Sequence, residues 1–421
     1  MNKLRIFDTD NLYEIWHTLS RNKLRSLLTM FGVGWGIFML VVMIGAGKGL
    51  ENGVTQGVQG FAKNSLYIGS ERTTEPYKGF QKGRSWNLRS SDIDLLRNKF
   101  PEIENISPLN FGSRSSDNVT FEQRSGTFNI KGLYPEYYKI DPVNLIHGRN
   151  LNQIDIEESR KVCVIGERVF NDIFNGDASN VGNYIRVNGI YVQVVGVIKQ
   201  ITNVSINGST DESIFFPYST MTRVYNMGDV VHIIALSCYD RFPMSLMEDK
   251  LALQLKISHD VSPTDKGALF LINIEKQFKM MNYLFIGINV LIWIVGLGTL
   301  LAGVVGVSNI MVVTIQERTK EIGIRRALGA SPKEILLQII NETVLLTTVA
   351  GLLGLTAGVG LLGFIGRVIE GNDEVFFKDP QISFEAAIAA TIILMISGML
   401  AGLVPATRAM KIKAIEAIRE E

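Results

Sequence analysis

The sequence predicts a membrane protein with four transmembrane α-helices and a large mixed α/β extracytoplasmic domain inserted between helices 1 and 2. Three observations predict it. Four long stretches carry no Asp, Glu, Lys, Arg or His. The segment between the first two is rich in charge, Asn, Ser and Gly and shows alternating apolar patterns. The connections alternate between Lys/Arg-rich and Lys/Arg-poor, as the positive-inside rule requires. The bulk composition alone conceals this split: 421 residues would suit two or three soluble domains. The near balance of 42 Lys+Arg against 41 Asp+Glu points to no nucleic-acid partner.

Residues 1–25 form a cytoplasmic amphipathic segment. Leu12, Ile15, Trp16 and Leu19 fall at helical spacing after Asp10, a suitable N-cap. A helix lying flat at the membrane surface fits Trp16 beside Arg21, Lys23 and Arg25. An ordinary packed helix is the alternative. Residues 26–47 form transmembrane helix 1; a bilayer core needs about 20 apolar residues. The run is too long for a signal-peptide core and leads to no small-x-small cleavage site, so it reads as an uncleaved signal anchor.

Residues 48–279 form the extracytoplasmic (periplasmic) domain, in two lobes with flanking stalk helices. VCVIG (162–166), YIRVNG (184–189) and YVQVVGVI (191–198) read as strands separated by Gly turns. SSDIDLLRNKF (90–100) reads as a helix with Ser91 as N-cap, ended by Pro101. GLENGVTQGVQGFAKN after span one and ALFLINIEKQFKMM before span two, where Leu269, Ile272, Lys276 and Lys279 recur at helical steps, read as a two-helix stalk, with a pair of frayed helix ends as the alternative. Cys163 and Cys238, the only cysteines, read as buried strand thiols rather than a bridge. His147, His232 and His259 follow no metal spacing and read as structural or surface residues.

Transmembrane helix 2 covers 283–314, helix 3 covers 343–366 and helix 4 covers 386–405. Between them lie a cytoplasmic loop at 315–334 and a short, acidic external loop at 367–385. The cytoplasmic tail is 406–421. Orientation follows from Lys3, Arg5, Arg21, Lys23 and Arg25, then Arg318, Lys320, Arg325, Arg326 and Lys333, then Arg408, Lys411, Lys413 and Arg419. The lack of ionisable residues inside the spans argues against a carrier driven by an ion gradient. Gly32/Gly36, Gly354/Gly358 and Gly398/Gly402 form G-x-x-x-G pairs that favour close helix packing or dimerisation.

The most informative stretch is 317–340. Glu321 precedes Arg325 by four residues, the favourable helical order for an ion pair. Gly329 is a helix stop, and Ser331-Pro332-Lys333-Glu334 combines an N-cap, a proline at the first helical position and a capping-box Glu. The loop is thus a short helix, a sharp turn and the start of span three. A docking corner for a soluble partner and a solvated topological anchor both remain open on these grounds. No phosphate-cradling loop occurs: GAGKGL (45–50) lacks the hydroxyl residue and ends a span. Direct ATP hydrolysis by this chain is therefore not expected, nor is any bound cofactor or metal.

The stretch ERTKEIGIRRALGA (317–330) resembles the cytoplasmic loop of MacB-like and FtsX-like ABC transporter permeases. NKLRSLLTMFGV (22–33) resembles the family's entry to span one. KVCVIGERVFNDIF (161–174) and VGNYIRVNGIYVQVVGVI (181–198) resemble its periplasmic core segments, and PATRAMKIKAIEAIR (405–419) its tail. The tail departs at Ala414, where the family usually has Pro. The resemblance implies an ABC ATPase subunit, separate from this chain, carrying ATP and Mg. It implies a second permease copy or paralogue in a dimer, and room for a periplasmic adaptor or outer-membrane component. It implies ATPase contacts at Glu317, Arg318, Glu321, Ile322, Arg325, Arg326, Leu328, Gly329 and Ala330, and mechanotransmission, with ATP-driven motion passed to the periplasmic domain. Relatives export macrolides or peptides, release lipoproteins or activate cell-wall hydrolases, so the substrate stays open. The expected function is a permease that exports or extracts a substrate. The alternatives are an FtsX-like regulator of a periplasmic hydrolase and a membrane-anchored sensor or adhesion module with no ATPase.

Overall fold

The computed structural model describes residues 23–56, 62–112, 117–201, 206–369 and 377–410. The amphipathic segment at 10–19, the acidic stretch at 370–376 and the tail from Lys411 with Ala414 lie outside the described residues. The chain divides into two units, Met1–Val54 with Leu284–Glu421, and Thr55–Tyr283.

Among the described residues the first unit contains four helices long and apolar enough to cross a membrane. They are α1 (Lys23–Gln56), α8 (Ile274–Glu317), α10 (Pro332–Ile369) and α11 (Phe384–Met410); α8 also contributes its first residues to the second unit. The helices bury one stripe each. Val33, Ile37 and Val41 of α1 share a core with Leu300, Val307 and Met311 of α8, Leu346 and Ala350 of α10, and Leu394 and Ala401 of α11. The opposite faces expose Leu, Ile and Val, as lipid-facing helices do. Small residues set the approach distances. A Cβ at Gly354 would collide with the Gly34 carbonyl oxygen, and one at Gly303 would lie 3.1 Å from the Gly32 carbonyl oxygen. Gly36, Gly358, Gly398 and Gly402 also face a neighbouring helix closely, whereas the Gly32 α-carbon faces open space. At the other end of α1, the Lys378 N–H donates to the Gly49 carbonyl at 3.0 Å. Asn52 Nδ2 donates to the Asp379 carbonyl at 3.2 Å, so the segment before α11 is fastened to α1.

The second unit is built on an eleven-stranded sheet among the described residues. In chain order its elements are β1 (Ser65–Ser70), β2 (Leu88–Arg89), α2 (Ser90–Lys99), β3 (Ile103–Phe111), β4 (Asp117–Phe121), β5 (Arg124–Leu133), α3 (Tyr137–Ile140) and β6 (Val143–Gly148). Then follow α4 (Gln153–Glu157), β7 (Val162–Gly166), α5 (Glu167–Phe174), β8 (Tyr184–Val187), β9 (Ile190–Gln200), β10 (Ser213–Pro217) and α6 (Tyr218–Val224). The last are β11 (Val230–Val231), β12 (Ile233–Cys238), α7 (Met244–Ser258) and β13 (Leu269–Asn273).

One part of the sheet closes on itself. β5 pairs with β10, β10 with β7, β7 with β9, β9 with β8, β8 with β4 and β4 again with β5. Val119, Ile165, Ile185, Val194 and Ile214 from this ring share a core with Val169, Ile173 and Phe174 of α5. The rest is an open extension in the order β5-β3-β12-β1-β13. There α2 and α7 cover a second core of Leu66, Ile68, Leu96, Leu236, Leu251 and Leu255. The two lobes therefore share one sheet, with β5 belonging to both.

Two local readings change. The N-cap of α2 is Arg89, not Ser91: the Arg89 N–H donates to Asp92 at 2.8 Å, placing a carboxylate at the third helical position. The second stalk begins later than its periodicity suggests. Leu269–Asn273 is a strand paired with β1, and helix starts only at Ile274. Its first turn is clamped to α7. Ser245 N–H and Oγ donate to Glu275 at 2.7 and 2.9 Å, and Glu248 takes Asn273 Nδ2 and Lys276 Nζ, each at 2.7 Å. Cys163 and Cys238 are free and buried. His259 pairs with Asp92 at 2.7 Å, and His232 Nδ1 accepts from the Phe111 N–H at 3.1 Å.

Candidate functional site

The site is the corner between α8 and α10. Helix α8 ends at Glu317, and Arg318, at φ −100° and ψ 11°, breaks the helix before α9 (Thr319–Ala327). The Thr319 hydroxyl donates to the Gln316 carbonyl at 2.8 Å and so keeps the break tight. At the far end Gly329 takes φ +102°, a left-handed conformation natural to glycine. The Ala330 N–H then reaches the Arg325 carbonyl at 3.0 Å and the Gly329 N–H reaches the Arg326 carbonyl at 3.1 Å. That double bond pattern is a Schellman stop. Helix α10 opens with the reciprocal box that its sequence encodes. Ser331 N–H donates to Glu334 at 3.0 Å, and the Glu334 N–H donates to Ser331 Oγ at 3.3 Å. Both ends of the turn are thus fixed by local chemistry.

The nine residues singled out in this loop divide by direction. Glu317, Glu321, Leu328 and Gly329 are exposed, whereas Arg318, Ile322, Arg325, Arg326 and Ala330 are half-buried. Ile322 packs on the core of the membrane helices. Arg325 donates to Glu321 at 2.9 Å and to Gln338 of α10 at 3.0 Å. Arg326 donates to the Met410 carbonyl, the last of α11, at 3.2 Å. Arg318 lies 3.5 Å from Glu342 of α10, whose side chain is only 9% exposed. A cavity of about 40 Å³ lies beside them, lined by Arg318, Glu321, Arg325, Gln338 and Glu342 on its polar side.

Sequence periodicity overlooked two features here. Ile324 is 46% exposed one turn before Leu328, which is 84% exposed, so α9 presents an apolar pair outward. The i, i+4 spacing on an otherwise polar helix is the signal that finds it. Glu342 reads from sequence as the charged edge of span three. Its i+7 and i+3 relation to Ile335 and Ile339 places it on the buried face instead. Among the described residues no cluster of His, Cys, Asp and Glu could hold a metal ion.

The MacB-like periplasmic core domain profile matches residues 26–252, and the FtsX-like permease C-terminal profile matches 293–414. The chain belongs to the MacB-like, FtsX-like family of ABC transporter permeases. The macrolide export ATP-binding/permease protein MacB of Bdellovibrio bacteriovorus is 26% identical over 98% of this chain and 62% of its own length. The permease therefore spans about three fifths of that relative. An uncharacterized ABC transporter permease, YknZ of Bacillus subtilis, is 25% identical over 98% of this chain and 99% of its own. The crystal structure of the periplasmic region of MacB from Actinobacillus actinomycetemcomitans covers 54% of this chain and 97% of its own, at 21% identity and a TM-score of 0.44. The family and the four apolar helices make this a multi-pass inner-membrane protein, with the mixed α/β domain between the first and second helices.

Proposed function

We propose that this permease couples ATP hydrolysis by a separate ATPase subunit to motion of its periplasmic domain, for export or extraction of a substrate. Both termini and the corner at 315–334 face the cytoplasm, and the permease works as a dimer with a second copy or a paralogue. A periplasmic adaptor or outer-membrane component completes the assembly. The carrying observation is the outward apolar pair Ile324 and Leu328 on a helix fixed at both ends. A small rigid knob of this kind suits a partner pocket, because little side-chain and loop entropy is left to lose on docking. The clamp of Ser245 and Glu248 on the first turn of α8 supports the mechanical part of the reading. One helix thus begins in the sheet domain and ends at the docking corner.

Two measurements test this. Reporters fused after Glu421 should lie in the cytoplasm, and reporters within 100–260 should lie outside; the reverse pattern defeats the orientation. Purified permease in proteoliposomes should hydrolyse no ATP, and adding its ATPase subunit should give turnover above that subunit alone. Robust turnover by the permease by itself, or an ATPase subunit indifferent to it, defeats the coupling.

A further inference from the structure

Arg318, just before α9, and Arg325 and Arg326 within it are half-buried, whereas Ile324 and Leu328 are exposed. Arg318 reaches Glu342, Arg325 reaches Gln338, and Arg326 reaches the terminal carbonyl of α11. Two of these contacts reach α10 one turn apart, and the third reaches the end of α11. Glu342 is the telling member. A carboxylate that is 7% exposed needs a charged or hydrogen-bonding partner, and it sits ten residues into α10, roughly 15 Å along the helix axis. Leucine in its place would satisfy that face of the helix, which already carries Ile335, Ile339 and Leu346. Apolar packing lets surfaces slide, whereas a guanidinium fixes distance and direction together. Ile322 packs α9 on the membrane-helix core, and the polar contacts beside it line a small cavity.

We propose that Arg318 and Glu342, with Arg325 and Arg326, are positioning residues. They form an internal brace that carries a displacement of α9 into α10 and α11, and they are not the contacts that bind the ATPase. This rests on the docking reading above but makes a separate claim: binding resides in Ile324 and Leu328, and transmission resides in the arginines.

The test uses full-length permease in proteoliposomes with the ATPase subunit that co-purifies with the wild type. Two quantities are read: the Kd for that subunit, and permease-stimulated ATP turnover at a saturating concentration of it. Glu342→Gln and Arg318→Gln should each leave Kd within about threefold and lower stimulated turnover at least about tenfold. The double variant, with two neutral amides facing each other, should be no worse than either single change. Arg326→Gln, which removes a donor to the Met410 carbonyl, should also lower stimulation with Kd kept, and it serves if the Glu342 variants fail to fold. Losses that multiply in the double variant overturn the pairing. Wild-type stimulation in the Glu342→Gln and Arg326→Gln proteins overturns the brace. A Kd that rises in step with lost turnover makes the arginines partner contacts and also overturns it. If Leu328→Asp binds the subunit as wild type does, the docking reading itself has failed, whatever the arginine variants show.

Discussion

Replacing Leu328 with Asp isolates the docking contact from the fold. The side chain is 84% exposed, so nearly all of its apolar surface is available to a partner and little supports the permease itself. Burying a leucine fully contributes about 1.5–3 kcal/mol, and a carboxylate forced into the same pocket adds a desolvation cost. A loss of about 2 kcal/mol or more corresponds to a Kd weakened roughly 30-fold. One side effect must be separated. Leu328 caps the C-terminus of α9, where a negative charge is unfavourable by about 0.3–1 kcal/mol. Leu328→Lys reverses that sign and still removes the apolar contact, so both variants should weaken binding. The assay is titration of the ATPase subunit onto permease in nanodiscs, with the loss expected mainly in the dissociation rate. Thermal stability should stay within about 0.5 kcal/mol of wild type, as for most surface changes. A Kd within twofold of wild type for both variants would refute the contact and leave the corner as a topological anchor.

Gly354→Val drives a branched side chain into the Gly34 carbonyl, so helix α10 must back away from α1. Overpacking of this kind costs about 1–3 kcal/mol, readable as a lower melting temperature in detergent; an unchanged melting curve contradicts the packing. Cys163 and Cys238 are both buried, with desolvation pushing the Cys238 thiol up to about 12 and raising that of Cys163 further. Neither should react with maleimide at pH 7 until the domain unfolds, and rapid native labelling would contradict that burial. Burial alone would raise the Asp155 carboxyl, but hydrogen bonds from Arg149 and the Asn152 N–H hold it below its ordinary value. A depressed folded pKa means stability that is full above about pH 4 and lost as the pH falls through the folded value. Asp155→Asn should flatten the acid limb of the domain's stability curve below pH 4, and an unaltered limb would count against this pair.

The legible parts of this fold are those whose determinants are local. The five residues Val162–Gly166 are a strand because nothing but β-branched and small apolar residues lies between charged neighbours. The corner at 327–334 was equally legible, since Gly329 and the Ser331–Glu334 box act within a few bonds. The misread stretch, Leu269–Asn273, has apolar residues compatible with either period, and its pairing with Tyr67 and Ile68 is decided two hundred residues away in the chain. The same holds for Glu342, whose partner Arg318 lies in the break between two other helices, and for Gly34 and Gly303, which belong to no G-x-x-x-G pair singled out in the sequence.

The pairing order of the sheet also sets a timetable. Ser65–Gly69 has no partner until Ile233–Ser237 and then Leu269–Asn273 have been made, and the β5–β10 seam waits for Ser213–Pro217. During synthesis the first strands must therefore remain open-edged until most of the domain has been made. Such edges recruit foreign strands and attract proteases. The last strand to arrive is followed at once by Ile274, the first residue of α8. Completion of the domain and entry of the second span into the membrane are thus adjacent events on the ribosome's clock. A nascent chain halted between Cys238 and Leu269 would leave β1 with one bare edge and no return anchor, an intermediate that quality control can recognise.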